Sequence, residues 1–462
     1  MTLIKSISGI RGTIGGEQGK ALTPIDISKF SLAFGKMVLD RGGKTVVIGR
    51  DARISGLMVQ SLVTGNLMGI GLNVIDLGLS TTPTVEMAVV MEKADAGIII
   101  TASHNPKQWN ALKLLNEKGE FISDIDGKAI LEIAERNEYD FPEVDKLGSL
   151  TVIDDYIEKH IQKILALPLV DVNAVKKKKY SIVVDAVNSV GGIAVPQLLK
   201  AMGVETIYPL FCEPNGKFAH NPEPLEENLS ALSNEVKQYK ADMGIAVDPD
   251  VDRLVLMDEN GVLFGEEYTL VAVSDYILMH KKGATVSNLS STKALKDITE
   301  KAGCNYYTAA VGEVNVVAEM KKVAAVIGGE GNGGIIYPEL HYGRDALVGI
   351  ALFLTHLAKS GKNVSALRAT YPNYFISKNK IEANDTINLD KIMAKIGDKY
   401  EKMEQNKIDG LKITFESGDW VHLRKSNTEP IIRIYAESNT IQTADTIANK
   451  VKQDLILLIN EN

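Results

Sequence analysis

Short apolar runs alternate with stretches of helical spacing along the first three-quarters or so of the chain, and the alternation comes in three similar blocks. The first block has runs at 45–51, 74–78 and Ala96–Ile100. The second has runs at 180–185, Thr206–Leu210 and 241–247, with a helical stretch through Leu198 and Leu199 after the first of them. The third has runs at 284–289, 306–308 and 324–328. Runs this short that stay apolar throughout, rather than alternating, suit strands buried on both faces. Strands of that kind separated by helices predict doubly wound α/β units. Beyond Tyr371 and Pro372 the pattern changes: a helix at 390–396, short strands at 410–415 and 431–436, and a closing helix from Thr443 to about Ile456. The fold class expected is therefore α/β, three tandem doubly wound α/β domains of similar topology plus a C-terminal α+β domain, arranged around a central cleft. The expected boundaries are 1–150, 151–254, 255–368 and 369–462.

Composition narrows the class. A chain of 462 residues is too long for a single hydrophobic core and divides into domains. Its 45% hydrophobic content is that of a soluble globular protein, and a net charge of −8 lacks the concentrated basic face of a nucleic-acid binder. The run Lys176, Lys177, Lys178, Lys179 precedes a strand and is expected to be a solvated linker. Two cysteines, Cys212 and Cys304, give no disulfide framework and point to a reducing compartment. The first residues hold no apolar stretch of signal-peptide length, and no run approaches the ~18 apolar residues of a membrane span. A cytoplasmic protein without nucleic-acid or membrane partners is expected.

The chemistry gathers where strands end. After Ala96–Ile100 come Thr101, Ala102, Ser103, His104, Asn105 and Pro106. Ligands in open α/β sheets bind at the carboxyl ends of strands, so Ser103 is expected to be exposed there as a nucleophile. Alone the segment also fits an ordinary turn. After the run 241–247 come Asp248, Asp250 and Asp252, alternating so that in an extended loop they converge on one hard cation. Carboxylates that close repel strongly without such an ion. A solvated acidic turn or a calcium loop is the plainer alternative, but the chain returns at once to the apolar Leu254–Met257. Three carboxylates would leave Mg²⁺ with open positions. A third segment, Arg424 to Pro430 followed by Arg433, offers guanidinium, hydroxyl and amide groups suited to a phosphate that is held but not transferred. Functional loops at matching places in tandem units imply a shared cleft and phosphoryl transfer on a phosphorylated small molecule.

These segments resemble the α-D-phosphohexomutase superfamily over essentially the whole chain. The matching motifs are the phosphoserine loop 101–106, the metal loop 248–253, a sugar loop 329–334, the phosphate loop 424–430, and the N-terminal 8–12. The resemblance implies that Ser103 is carried as phosphoserine and that one Mg²⁺ is held by its phosphate with Asp248, Asp250 and Asp252. Arg11 and Arg253 would add positive charge at the phosphoryl group. Glu330 and Asn332 would meet the sugar, and Arg424, Ser426, Asn427, Thr428 and Arg433 the non-reacting phosphate. His104 would orient the phosphoserine. Lys113, expected on the same loop as the serine, matches a family lysine of proton transfer. Asn332 and Gly334 stand where many relatives have Ser and His, and His341 is a nearby histidine that could approach the site. The implied reaction interconverts 6-phospho and 1-phospho sugars through a 1,6-bisphosphate, which would also serve as activator. The resemblance is nearest to the archaeal-type glucosamine branch, so glucosamine phosphate is the expected substrate, with mannose or glucose phosphate as the alternative. A phosphomonoesterase and a non-catalytic sugar-phosphate-binding protein are the other classes; the separate phosphate loop argues against the first, and intact Ser103 and aspartates against the second. The implied partner is a hexose or hexosamine phosphate, and the implied state a monomer or homodimer.

Overall fold

The computed structural model describes residues 1–6, 9–382, 389–425 and 431–460, and the strands among them form four sheets. The first unit contains β1 (Leu3–Ser6), β2 (Gly9–Thr13), α1 (Pro24–Asp40), β3 (Thr45–Arg50), α2 (Gly56–Gly69), β4 (Asn73–Leu79), α3 (Thr82–Met91), β5 (Ala96–Ile100), β6 (Trp109–Leu115), α4 (Asp124–Arg136) and β7 (Leu150–Val152). The second contains α5 (Tyr156–Leu165), α6 (Val172–Lys178), β8 (Ser181–Asp185), α7 (Gly191–Ala201), β9 (Thr206–Leu210), α8 (Ser230–Tyr239), β10 (Met243–Val247) and β11 (Leu254–Met257). The third contains α9 (Glu266–His280), β12 (Thr285–Asn288), α10 (Ala294–Lys301), β13 (Tyr306–Ala309), α11 (Glu313–Lys322), β14 (Ile327–Glu330), β15 (Gly334–Ile336) and α12 (Ala346–Ser360).

The three α/β sheets repeat one strand order: β6-β5-β3-β4, β11-β10-β8-β9 and β15-β14-β12-β13. In each, the chain passes from the first parallel strand outward on one side and returns to the other side, where an antiparallel strand follows; it is the sheet edge in the second and third units, while in the first β2 and β1 continue beyond β6. That reversal opens a crevice at the carboxyl ends of the first and third parallel strands. It is where Ser103, Asp248 and Glu330 emerge. Strands β5 and β10 are buried at every position, as unbroken apolar runs require.

Helix α12 is buried at thirteen of its fifteen positions. A helix apolar on all sides belongs inside a protein, and this one lies within a single apolar cluster that joins Ile182 and Val184 of the second sheet to Ile327 and Ile335 of the third. The fourth unit is different. After the short α13 (Val364–Arg368) come β16 (Phe375–Glu382), α14 (Leu389–Lys399), β17 (Glu404–Asn406), β18 (Leu411–Thr414), β19 (Trp420–Lys425), β20 (Ile431–Ser438) and α15 (Ile441–Asn460). Its sheet, β16-β20-β19-β18-β17, is antiparallel throughout and has its own core with α14 and α15.

Several expectations need correction. Strand β7 pairs with β4 and β11 with β10, so the first sheet runs to Val152 and the second to Met257, past the expected limits of 150 and 254. The lysine run is not a linker. Lys176, Lys177 and Lys178 form the last turn of α6, where cations suit the carbonyl end of the helix dipole, and Lys179 caps it in the left-handed conformation. No helix among the described residues is long and apolar enough to cross a membrane.

Candidate active site

Ser103 lies just beyond β5, with its backbone left-handed (φ 48°), and it is 3% exposed rather than open as expected. Its loop is wrapped around one buried guanidinium. Arg53, following β3, pairs with Asp51 (2.9 Å) and donates to the carbonyl oxygens of Ser103, Asn105 (2.7 Å), Pro106 (2.9 Å) and Trp109 (3.1 Å). Asp51 also accepts from Thr101 Oγ1 (2.7 Å), which in turn accepts from the Ser103 N–H (2.9 Å). Loop conformation is thus set by fully buried charge-assisted bonds, which hold the Ser103 hydroxyl in one place. Ser103 Oγ donates to Asp248 Oδ2 at 2.7 Å. His104 Nδ1 lies 3.4 Å from the same hydroxyl.

The three aspartates do converge, with ligand atoms all within 4.8 Å of one another, but not along an extended loop. The chain turns at Val251, a buried β-branched residue at φ 63°, a strained conformation that persists only where surroundings impose it. Here the surroundings are identifiable. Asp248 Oδ1 accepts from the N–H groups of Asp252 and Arg253 (both 3.2 Å), and Ser189 Oγ donates to the Pro249 carbonyl (2.7 Å). The first unit donates the Thr82 N–H to the Asp250 carbonyl (2.9 Å), and the third donates the Ala346 N–H to the Val251 carbonyl (3.2 Å).

Lys113 belongs to strand β6, not to the serine loop, and its buried ammonium bridges Asp250 (2.7 Å) and Asp252 (3.3 Å). Burial alone would drive it neutral; Asp250 and Asp252 outweigh that and hold it protonated above its usual range. Burial likewise opposes ionisation of Asp252, but Arg344, Lys113 and Arg253 together hold its carboxyl below the usual range. Asp248 goes the other way. Burial, with Asp252 and Asp250 beside it, pushes its carboxyl well up. Asp250 Oδ1 and Asp252 Oδ1 are buried without a hydrogen-bond partner. Uncompensated buried carboxylate oxygens are costly, and an all-oxygen set of this kind fits a hard divalent cation.

A cavity of about 450 Å³ has walls that include Arg11, Glu330, Asn332, Arg424 and Arg433, together with His104 and Arg253, the chain neighbours of this cluster. Arg11 donates to Asn105 Oδ1 (2.7 Å), and Arg253 pairs with Glu223 (3.3 Å). Burial and the neighbouring Arg253 and Arg11 push the His104 imidazole well down, so it is neutral. Glu330 ends β14; its Oε1 accepts from Asn288 Nδ2 (2.8 Å) and the Gly312 N–H (3.0 Å), and its Oε2 from Arg344 (2.9 Å). Asn332 Oδ1 accepts from the Gly334 N–H at 3.3 Å. Also lining it, Arg424 lies 3.4 Å from Asp409, and Arg433 donates to the Tyr435 hydroxyl at 3.3 Å. Ser426, Asn427 and Thr428 lie outside the described residues, as does Ser8. His341 is not among the residues lining the cavity; it sits between Glu86 and Asp345, 3.3 Å from each.

The phosphoglucomutase/phosphomannomutase α/β/α domains I, II and III match residues 3–140, 154–261 and 257–374, and the C-terminal domain of that family matches 379–453. The chain belongs to this family, the α-D-phosphohexomutases. It is 35% identical to the phosphoglucomutase/phosphomannomutase of Thermococcus kodakarensis, with 94% of each chain covered. It is 30% identical to the phosphoglucosamine/phosphogalactosamine mutase of Sulfurisphaera tokodaii, over 96% of this chain and 97% of that one. The fold is that of a phosphoglucomutase/phosphomannomutase family protein from Burkholderia thailandensis: TM-score 0.84, 24% identity, 97% of this chain and 96% of that one covered.

The candidate site also contains residues that no motif announces. Arg344 joins Asp252 (2.8 Å), Glu313 (2.9 Å) and Glu330 (2.9 Å), tying the metal loop to the sugar loop. Arg53, Ser189 and Asn288 each follow or end the first parallel strand of their sheet and brace the loop after the third. The repeated strand order is the signal that points to them.

Proposed function

We propose that this cleft interconverts 6-phospho and 1-phospho sugars by way of a phosphorylated Ser103 and a sugar 1,6-bisphosphate, with glucosamine phosphate as preferred substrate. One observation carries the reading. The Ser103 hydroxyl is bonded to an acidic triad with unpartnered buried oxygens, and the cavity lined by their chain neighbours His104 and Arg253 is also lined by two further arginines, Arg424 and Arg433. A hydrolase of phosphomonoesters has no need of a second anion-binding wall.

Asp248, Asp250 and Asp252 would hold Mg²⁺, which supplies positive charge against the transferring phosphoryl group. The protein's own groups do the rest. The buried Ser103 loop keeps bulk water from a reactive centre. Arg11 and Arg253 reach the cavity beside Ser103 and add positive charge where the phosphoryl oxygens would lie. His104 Nδ1 lies 3.4 Å from Ser103 Oγ and would orient the phosphoserine. Lys113, held charged by two aspartates, keeps the triad from expelling its own negative charge. Arg424 and Arg433, with the 426–430 loop, would grip the phosphate that is not being transferred. A bisphosphate that turns end for end presents either phosphate to either wall, so each wall must tolerate both.

Preference for glucosamine rests on Glu330. A carboxylate oxygen accepts roughly two hydrogen bonds, and among the described residues Oε2 has only Arg344, so a position remains for an ammonium group on the sugar. A hydroxyl there would keep a charge-assisted bond to the carboxylate but lose the attraction between opposite full charges. The 35% identity to a phosphoglucomutase/phosphomannomutase favours a second reading, in which glucose and mannose phosphates are the substrates. Comparing kcat/KM for glucosamine, glucose and mannose phosphates separates the two. The glucosamine reading expects the largest value for glucosamine phosphate, with a margin that narrows as pH rises and the amine loses its proton. Equal or better rates on mannose phosphate overturn it, and release of inorganic phosphate faster than isomerisation would overturn the mutase.

A further inference from the structure

Where the first three units meet, outside the lining of the cavity, four groups of metal-ligand type face one another, three of them buried and His341 half-buried. They are Glu86 on α3, His160 on α5, His341 on the loop before α12, and Asp345 at the start of α12. His160 Nε2 and His341 Nε2 both point at one oxygen, Asp345 Oδ2, at 3.0 and 3.3 Å. The two rings are edge to face (80°), which lets the nitrogens converge without stacking. All three donor atoms lie within 4.8 Å of one another. Around a tetrahedral zinc with bonds of about 2.0–2.1 Å, ligand atoms sit roughly 3.3 Å apart, so this spacing fits a shared ion.

Hydrogen bonding among these groups leaves an unmet need. Asp345 Oδ1 is committed to capping α12, accepting from the N–H groups of Leu347 (2.8 Å) and Val348 (3.3 Å). Both oxygens of Glu86, which is 1% exposed, have no hydrogen-bond partner, and neither has His341 Nδ1, although Glu86 Oε2 is 3.3 Å away. The space is shaped for Glu86: a side chain at Gly343 would meet its Oε2 at 1.8 Å. If both Nε2 lone pairs and Asp345 Oδ2 turn to a cation, each ring carries its proton on Nδ1. His160 then donates to Thr84 Oγ1 (3.0 Å), and His341 donates to Glu86. Metal-bound imidazoles are characteristically oriented by such an outer partner, often a carboxylate. Two neutral imidazoles, two carboxylates and one divalent ion also sum to zero charge, which suits a buried site.

We infer that His160, His341 and Asp345 form a second, structural metal site for a zinc-class divalent cation, with Glu86 and Thr84 orienting the two histidines. It differs from the acidic triad in using imidazole nitrogen, which favours zinc over magnesium. Its ligands come from helices and loops of different units, so the ion would pin the units together outside the lining of the cavity.

The test is a calorimetric Zn²⁺ titration of the full-length protein, stripped with chelator and then kept in excess Mg²⁺ so that the acidic triad is filled. One equivalent of Zn²⁺ is expected, with a higher Tm. Glu86→Gln should weaken binding about 10- to 100-fold, and His341→Gln or His160→Gln by more. Asp250→Asn should leave Zn²⁺ binding intact. No uptake by the native protein, uptake that survives both histidine substitutions, or loss in Asp250→Asn instead would each overturn the site. Should the histidine variants fail to fold, Co²⁺ added to the native protein decides: intense visible bands of four-coordinate cobalt support it, and their absence overturns it.

Discussion

The two ends of the cleft are built on opposite plans. At the reactive end the triad aspartates are 0% exposed, Ser103 and Val251 hold left-handed backbone, and Arg53, Lys113 and Arg344 are locked into buried ion pairs. At the proposed holding end Arg424 and Arg433 stand half-buried on β19 and β20, the strands that flank 426–430 in the sequence. The joints differ in the same sense. The second and third units share an apolar core through α12. Several of the contacts between the third and fourth units are polar: Lys412 to the Leu289 carbonyl (2.8 Å), Ser290 with His422 (2.9 Å), and the Val311 N–H to Asp409 (3.0 Å). Electrostatic stabilisation of a transition state works best from groups fixed in advance, whereas an end that must release and recapture a turning intermediate gains from a joint that opens cheaply.

The comparison predicts an ordered set of losses. Ser103→Ala should remove the carrier and lower turnover by roughly 10⁴-fold or more, with little change in Tm and no phosphorylated fraction in the intact mass; near-native turnover would break the covalent reading outright. Asp250→Asn should cost roughly 10²–10³-fold in kcat, and chelation should silence the native protein reversibly. Lys113→Met strips one partner from a buried ion-pair network and should destabilise the fold by about 3–5 kcal/mol; added Mg²⁺ should restore part of the lost Tm, and a Tm deficit untouched by Mg²⁺ would mean that no cation shares the triad with Lys113. Arg424→Ala removes a charged hydrogen-bond donor of about 1.5–3 kcal/mol, so kcat/KM should fall roughly 10- to 150-fold while Ser103 still takes up phosphate. Loss of the phosphoserine in that variant would erase the division between the two ends.

How much of this was legible depended on whether charge followed a motif. Ser103, the three aspartates and Glu330 stand out in the sequence because each follows an apolar run in a repeated pattern. Its distance of ten residues from Ser103 puts Lys113 on the serine loop in the sequence, whereas it belongs to β6 as a buried charge neutralised from the second unit. The turn at Val251 was read as extended chain because β-branched residues so seldom adopt positive φ; contacts from three units impose it. Arg344 and Arg53 belong to no local pattern, since their partners lie far away in sequence. His341 was noticed as a stray histidine, but only the packing of α3 and α5 against its loop shows its neighbours.

The grip on the metal loop reaches beyond catalysis. Its backbone is fastened by the Thr82 N–H from one side and the Ala346 N–H from the other, groups belonging to neighbouring units. The second unit excised alone would keep its sheet and lose the working shape of its loop. The three copies of one topology are thus no longer interchangeable modules. A chimera that exchanges a single unit with a relative inherits function only if the incoming piece presents those two N–H groups in register, and homologous recombination within such a gene is correspondingly restricted to crossovers that preserve both seams.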